Sequence, residues 1–323
     1  MLKIALIGVG NIGIRYLEGI LKSDLILKVE LLDKKIESIN YFSNLIKQFK
    51  NSSHNIDLVL RHSIEDFSSS LDLAIISTTA DVRFQVACSL IEQKRIKNII
   101  LEKIVFQKPE EYLIFNDLII RKNINCYVNH PRRVYPFYQK LKQKIIAKSG
   151  LIVTIQGGDW GLGCNALHYI DLISYLVESD EIRLSVDFLD KEIINSKRPG
   201  FIEFSGVLCG TVGDARFFIY SGKTESPTII TINNSEFSYT IQESAGLIYE
   251  VDLKKITFNI LEEKIQYYQS EITSDIINQI LVTGNSSLPR FQEVIRIHTI
   301  FIKNLLEFYN KITNEFSSTL NIS

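Results

Sequence analysis

Cysteine is scarce in this chain. The four residues, Cys88, Cys126, Cys164 and Cys209, lie far apart, and none sits in a Cys-x-x-Cys pair. Zinc sites and disulfide frameworks need closer spacing, so neither is expected, and no metal is. Reduced thiols fit a cytoplasmic protein. An excess of charge is also missing. Thirty-six Lys and Arg nearly cancel thirty-seven Asp and Glu, for a formal net charge of −1. No basic patch marks a nucleic-acid partner. No apolar run reaches the roughly 18 residues of a membrane span. The longest candidate, VIRIHTIFIKNLLEF, is broken by Arg296, His298 and Lys303. The opening MLKIALIGVG runs straight into glycines and reads as a first strand rather than a signal peptide. The sequons at Asn51, Asn233 and Asn285 are then chance matches. Internal repeats and long low-complexity linkers are absent too.

What is present is ordinary globular composition. The chain has 323 residues, 46% of them hydrophobic, enough for about two domains. Over the first ~125 residues short apolar runs alternate with amphipathic ones. Strands are predicted at 3–8, 29–33, 57–60, 72–78, 98–103 and 124–128. Helices are predicted near 11–22, 35–50, 82–95 and 109–122. After residue 128 the pattern changes. A helix with Pro136 in its first turns (RRVYPFYQKLKQKIIAK) leads to the strand LIVTIQG and a helix over about 162–177. Then strand follows strand over 184–269, the mark of an antiparallel sheet. Helices near 271–282 and 288–311 end the chain. The expected fold is α/β: a parallel-sheet domain at 1–125 and an α+β domain at 126–323 with a large, open, mostly antiparallel sheet.

Residues 8–13 read GVGNIG, a G-x-G-x-x-G between a strand and a helix. In such a Rossmann turn Gly8 permits the tight bend. Gly10 lets the backbone approach a pyrophosphate, and Gly13 lets helix and strand pack closely. The phosphates then meet unpaired N–H groups at the helix start, including those of Asn11 and Ile12. Asp33 ends the second strand about 20 residues on, where a carboxylate accepts from a ribose 2′-hydroxyl. Its charge opposes a 2′-phosphate, so NAD is expected over NADP. Lys34 and Lys35 keep NADP as the second expectation.

Spaced motifs extend this reading. GVGNIGIRY (8–16), IISTTADVRF (75–84), LEKI (101–104), VNHPRRVYP (128–136), GLGCNALHYIDL (161–172) and SLPRFQEVIRIH (287–298) follow one another in order. Together they resemble the glucose–fructose oxidoreductase/inositol dehydrogenase (Gfo/Idh/MocA) family. The resemblance implies that Lys103, in the place of the Lys of Glu-Lys-Pro, lies beside the nicotinamide and substrate. The helix carrying His168 would face it from the second domain. Lys103 and His168 become the proton-handling pair, and Glu102, Thr78 and Thr79 help position the cofactor. Arg132, Trp160 and Asn165 are candidate substrate contacts. Arg132 and Arg133 serve either an anionic substrate or a helix start, and Trp160 either stacks on a sugar or fills the core. Asp171, in the His-x-x-Asp pattern, is expected to be structural.

Two positions depart from the family. Ile104 stands where Glu-Lys-Pro has its proline. A cis peptide costs roughly 2.5–4 kcal/mol without proline, so a changed loop is expected there. Cys164 replaces an Asp four residues before the histidine and is read as a packing residue. His54, His62, His130 and His298 show no metal-ligand spacing. The function expected is NAD-dependent oxidation of a secondary alcohol on a sugar or sugar-nucleotide, in surface-glycan synthesis by family association. A redox-neutral epimerase or hydrolase holding NAD and a non-catalytic NAD-binding sensor are the alternatives. The strand-rich second domain suits a homodimer or homotetramer.

Overall fold

The computed structural model describes residues 1–34, 55–145 and 150–323. The predicted helix 35–50, with Lys35, Asn51 and His54, lies outside the described residues, as does the end of the helix expected over 132–148. The chain begins with β1 (Leu2–Ile7), α1 (Asn11–Ile20), β2 (Leu27–Leu32), β3 (Ile56–Leu60), β4 (Ser70–Ile76), α2 (Ala80–Gln93), β5 (Arg95–Leu101), α3 (Pro109–Arg121) and β6 (Asn125–Val128). A 3₁₀ turn (Pro131–Val134) leads to α4 (Pro136–Ile145), β7 (Ile152–Gly158) and α5 (Leu162–Val177). Nine strands follow: β8 (Ile182–Leu189), β9 (Ile194–Asn195), β10 (Ile202–Glu203), β11 (Gly206–Val212), β12 (Ala215–Gly222), β13 (Ser226–Asn233), β14 (Phe237–Gln242), β15 (Leu247–Asp252) and β16 (Thr257–Glu262). Helices α6 (Gln269–Asn278) and α7 (Phe291–Thr313) close the chain.

Two compact units result. The first holds Met1–Phe106, Glu110–Asn129 and Tyr268–Phe291; the second holds Gln107–Pro109, His130–Tyr267 and Gln292–Ser323. The cut expected after residue 125 falls inside β6, and α6 joins the first unit.

The first unit is a six-stranded sheet in the order β3-β2-β1-β4-β5-β6, parallel throughout. Its central strands are continuous apolar runs because helices cover both faces. Ile4, Ala5, Leu6, Leu73, Ala74, Ile75, Ile99 and Ile100 are all fully buried. The strand order reverses between β1 and β4, where parallel sheets open a crevice at their carboxyl edge. Helix α6 packs on α1 through Gly19, where a Cβ would come within 2.5 Å of Thr273 Cβ.

The second unit is an eight-stranded sheet in the order β16-β15-β14-β13-β7-β12-β11-β8, with only the β7–β12 pair parallel. Along β12 the side chains alternate. Phe217 and Ile219 point into the core, while Phe218 (48% exposed) and Tyr220 (47%) point out. Helix α5 covers the inner face of β11 and β12. The outer face carries Phe188, Phe258 and Ile260, all exposed.

Candidate functional site

In the first unit the carboxyl edge of the sheet gathers most of the expected cofactor residues. Gly8 leaves β1 with φ +84°, and a Cβ on it would lie 2.6 Å from Thr78 N. A Cβ on Gly13 would lie 2.2 Å from Gly8 O. Both glycines are therefore required by the packing of turn on strand and helix on turn. Gly10 differs: a Cβ there would meet nothing within 4 Å, so the space over it is open. Gly10 is the N-cap of α1, whose start has no side-chain cap and no acid in its first turn. Gly10 and Asn11 are exposed and Ile12 is half-buried. The first-turn N–H groups, which have no partner within the helix itself, and the helix dipole thus face that space. Asp33, just past β2, accepts a hydrogen bond from Val9 N, which ties the second strand to the glycine turn. Thr78 and Thr79 follow β4, and the buried Thr78 hydroxyl makes no hydrogen bond.

Lys103 lies half-buried just beyond β5. The Lys103–Ile104 peptide is cis, with isoleucine in the proline's place. Tertiary contacts hold this loop. Ile104 is fully buried, and Phe106 packs among Phe84, Tyr112, Phe115 and Phe291. The buried guanidinium of Arg83 donates to the carbonyls of Thr78, Glu102, Ile104 and Val105. Arg83 thereby clamps the loop after β4 to the loop after β5. It shares the buried stripe of α2 with Ala80, Ala87 and Leu90, and that helical spacing was its signal in the sequence. Glu102 is also buried, and it accepts from Tyr16 O–H and Asn129 Nδ2, both at 2.6 Å. Burial first, and then the Glu102 charge, push the Tyr16 hydroxyl well above its ordinary range, so it stays a donor.

The second unit explains the glycine-led helix. Gly161 has φ +75°, and a Cβ there would crowd Glu203 Oε1 at 3.0 Å; one on Gly163 would meet Oε2 at 2.9 Å. The glycines make room for the Glu203 carboxylate on β10, which accepts from Gly163 N (2.6 Å) and Cys164 N (3.1 Å) and caps α5. Burial raises the Glu203 carboxyl above its ordinary value, and these N–H groups only partly offset that. Nothing local in the sequence marks this cap forty residues away. The Cys164 thiol donates to Ser323 O at 3.0 Å.

His168 is half-buried on α5, one turn before Asp171. Asp171 is 1% exposed and binds Arg133, with contacts of 2.7 to 3.2 Å to its Nε and Nη2. Arg133 also donates to Glu293 at 3.0 Å. The His168 ring meets His130, with Nδ1 to Nδ1 at 3.3 Å. Arg132 forks onto Glu243 at 2.9 and 2.6 Å and lies 4.2 Å over the Tyr169 ring. Burial works against its charge, but Glu243 outweighs this and holds the guanidinium charged. Asn165 donates to Trp160 O at 2.7 Å. Trp160 donates to Tyr220 O at 3.1 Å and meets the Tyr169 ring edge-on. Arg132, Tyr169, Trp160 and Asn165 thus form one connected set in the second unit, while His168 on the same helix contacts His130. The residues that sequence reasoning missed are Arg83, Glu203 and Glu243, the last two being partners 40 and 111 positions away in the chain.

No protein-family model matches the chain, and no curated protein matches it in sequence. Solved structures do match it in shape. UDP-N-acetylglucosamine 3-dehydrogenase GnnA from Acidithiobacillus ferrooxidans superposes with a TM-score of 0.69 at 13% identity, over 94% of this chain and 96% of that one. An oxidoreductase from Agrobacterium radiobacter, solved with NAD+, L-tartaric acid and magnesium, gives 0.73 at 13% identity over 96% and 97%. A super-repressor mutant of Gal80p from Saccharomyces cerevisiae gives 0.71 at 13% identity over 98% and 99%. The chain has their two-domain fold. No helix among the described residues is long and apolar enough to cross a membrane.

Proposed function

We propose that the chain is a divergent member of the glucose–fructose oxidoreductase/inositol dehydrogenase family. On this reading it uses a nicotinamide dinucleotide to oxidise a secondary alcohol on a sugar or sugar-nucleotide. The observation that carries the reading is the glycine turn: two glycines packed beyond any Cβ, a third open to space, an uncapped helix start and Asp33 tied to the same turn. These residues suit a pyrophosphate on α1 and a ribose near Asp33. What a bound nicotinamide supplies is redox chemistry at the alcohol carbon.

The rest of the chemistry falls to the chain. His168 takes the hydroxyl proton and Lys103 stabilises the developing oxyanion. Arg83 and Phe106 hold the Lys103 loop in place. Arg132, Trp160 and Asn165 bear on substrate recognition. NAD is the preferred dinucleotide because the Asp33 charge opposes a 2′-phosphate. Likeness to GnnA supports a sugar-nucleotide substrate and likeness to the NAD+-bound Agrobacterium enzyme supports the cofactor.

Calorimetric titration with NAD and NADP, followed by a turnover screen over sugars and sugar-nucleotides, tests this. NAD binding tighter than NADP, with NADH forming on one substrate, is expected. Failure to bind either dinucleotide would overturn the proposal. Binding without turnover would favour a regulator, a reading supported by the likeness to Gal80p. The outer face of the large sheet, with Phe188, Phe218, Tyr220 and Phe258 exposed, supports pairing between copies. Light scattering that shows a monomer at micromolar concentration would contradict that pairing.

A further inference from the structure

Three histidines form a row inside the second unit, with His130 in the middle. His168 comes from α5, His130 precedes the 3₁₀ turn, and His298 comes from α7. His130 Nδ1 lies 3.3 Å from His168 Nδ1, and His130 Nε2 lies 2.9 Å from His298 Nε2. His130 and His298 are fully buried, so His168 is the accessible end of the row. His130 spends both ring nitrogens on its neighbours. The row therefore has no shared vertex for a metal ion, and among the described residues none is formed.

A neutral imidazole has one N–H and one lone pair. The row consequently has a direction. In one direction His298 Nε2–H donates to His130, His130 Nδ1–H donates to His168 Nδ1, and the His168 proton sits on Nε2. In the other, each bond reverses and His168 Nε2 carries a lone pair. The first state makes His168 an acid towards a ligand and the second makes it a base.

We propose that His130 and His298 are positioning residues that set the His168 tautomer and carry its proton charge away from the substrate. The proposal rests on the reading that His168 handles the substrate proton. Starting from the second state, the alcohol O–H bond breaks and the proton bonds to His168 Nε2. The His168 Nδ1–H bond then breaks as His130 Nδ1–H forms. His130 becomes an imidazolium that donates to His168 at one end and to His298 Nε2 at the other. No electrons move in this step.

The surroundings favour charge at His130. Asp171 Oδ2 on α5 lies 3.9 Å from His130 Nδ1. Asp171 and Glu293 on α7 share Arg133 from the 3₁₀ turn. With the histidines neutral, Arg133 is one cation beside two carboxylates, the buried Asp171 and the half-exposed Glu293. A proton on His130 brings the cluster to formal neutrality, and the buried Asp171 carboxylate supplies most of the opposite charge that stabilises the protonated ring. His298 supplies the acceptor for its second N–H in an apolar layer with Val294, Ile297 and Phe301.

The test is a pH titration of the full chain carrying ¹⁵N-labelled histidine, with the ring nitrogens followed by NMR and no substrate present. His130 and His168 should titrate as one coupled pair while His298 stays neutral. Independent titration of His168, with His130 fixed in one neutral tautomer, overturns the proposal. His298→Leu removes the acceptor and should move the shared titration to lower pH, and His298→Gln, whose amide oxygen accepts, should restore most of it. In turnover, His298→Leu should lower kcat by about 10- to 100-fold with KM little changed, less than loss of the acid–base group itself. The wild-type titration decides the matter even if the Leu variant does not fold. If no substrate is ever turned over, the oxidoreductase reading fails while the titration still judges the relay. If His168→Ala abolishes turnover but the rings titrate separately, only the relay fails.

Discussion

Replacing Arg133 by methionine leaves the Asp171 carboxylate buried without its main partner. Asp171 is 1% exposed, and Arg133 approaches its two oxygens with three contacts of 2.7, 3.0 and 3.2 Å. Removing one partner of such a buried pair costs about 3–5 kcal/mol, because the remaining charge has lost both its water and its counter-ion. Glu293, the second partner of Arg133, has a half-exposed side chain, and that contact adds at most about 1 kcal/mol. Trp160 is the sole tryptophan and belongs to the same unit, so its fluorescence reports the unfolding of that unit. With a urea dependence of about 3 kcal/mol per molar, the midpoint should fall by about 1–1.7 M. The double variant Arg133→Met/Asp171→Leu should recover most of that loss, since a buried ion pair replaced by apolar groups is often neutral in stability. A fall below about 0.3 M in the single variant, or a double variant no better than the single, would refute the reasoning.

The glycines of the turn should separate by role. Gly13→Ala drives a Cβ against Gly8 O and should cost about 1–3 kcal/mol in thermal unfolding. Gly10→Ala meets open space and should leave stability within about 0.5 kcal/mol while weakening dinucleotide binding in calorimetry. Asp33→Ala should narrow the preference for NAD over NADP, and a wider gap would exclude Asp33 as its source. Lys103→Ala and His168→Ala should each lower turnover by about 10²–10⁴-fold, with dinucleotide affinity little changed in the His168 variant. Glu203 provides a pH test. Its folded carboxyl is raised above the ordinary value of 4.5, so its contribution is full below that value and is lost as pH rises through the folded one. Urea midpoints should therefore show Glu203→Gln gaining on the wild type between pH 4 and pH 7, and a variant that falls further behind over that range would contradict the assignment.

By itself the sequence determined the layers and the places where chemistry can sit. Continuous apolar runs such as LKIALI and DLAII specify strands buried on both faces, and the alternation ARFFIY specifies a strand with one face outward, because side-chain period follows backbone geometry. The glycine turn was legible for the same reason: a positive φ at Gly8 and a close approach at Gly13 are local demands that only glycine meets. Only the tertiary structure decided the partners. Glu203 capping α5, Glu243 holding Arg132 and His298 reaching His130 join residues between 40 and 168 positions apart. A buried polar group must be paired, but any distant segment of the right chemistry can satisfy it. The pairing is set by which segments the fold of each unit brings together, and no local pattern in the chain records that choice.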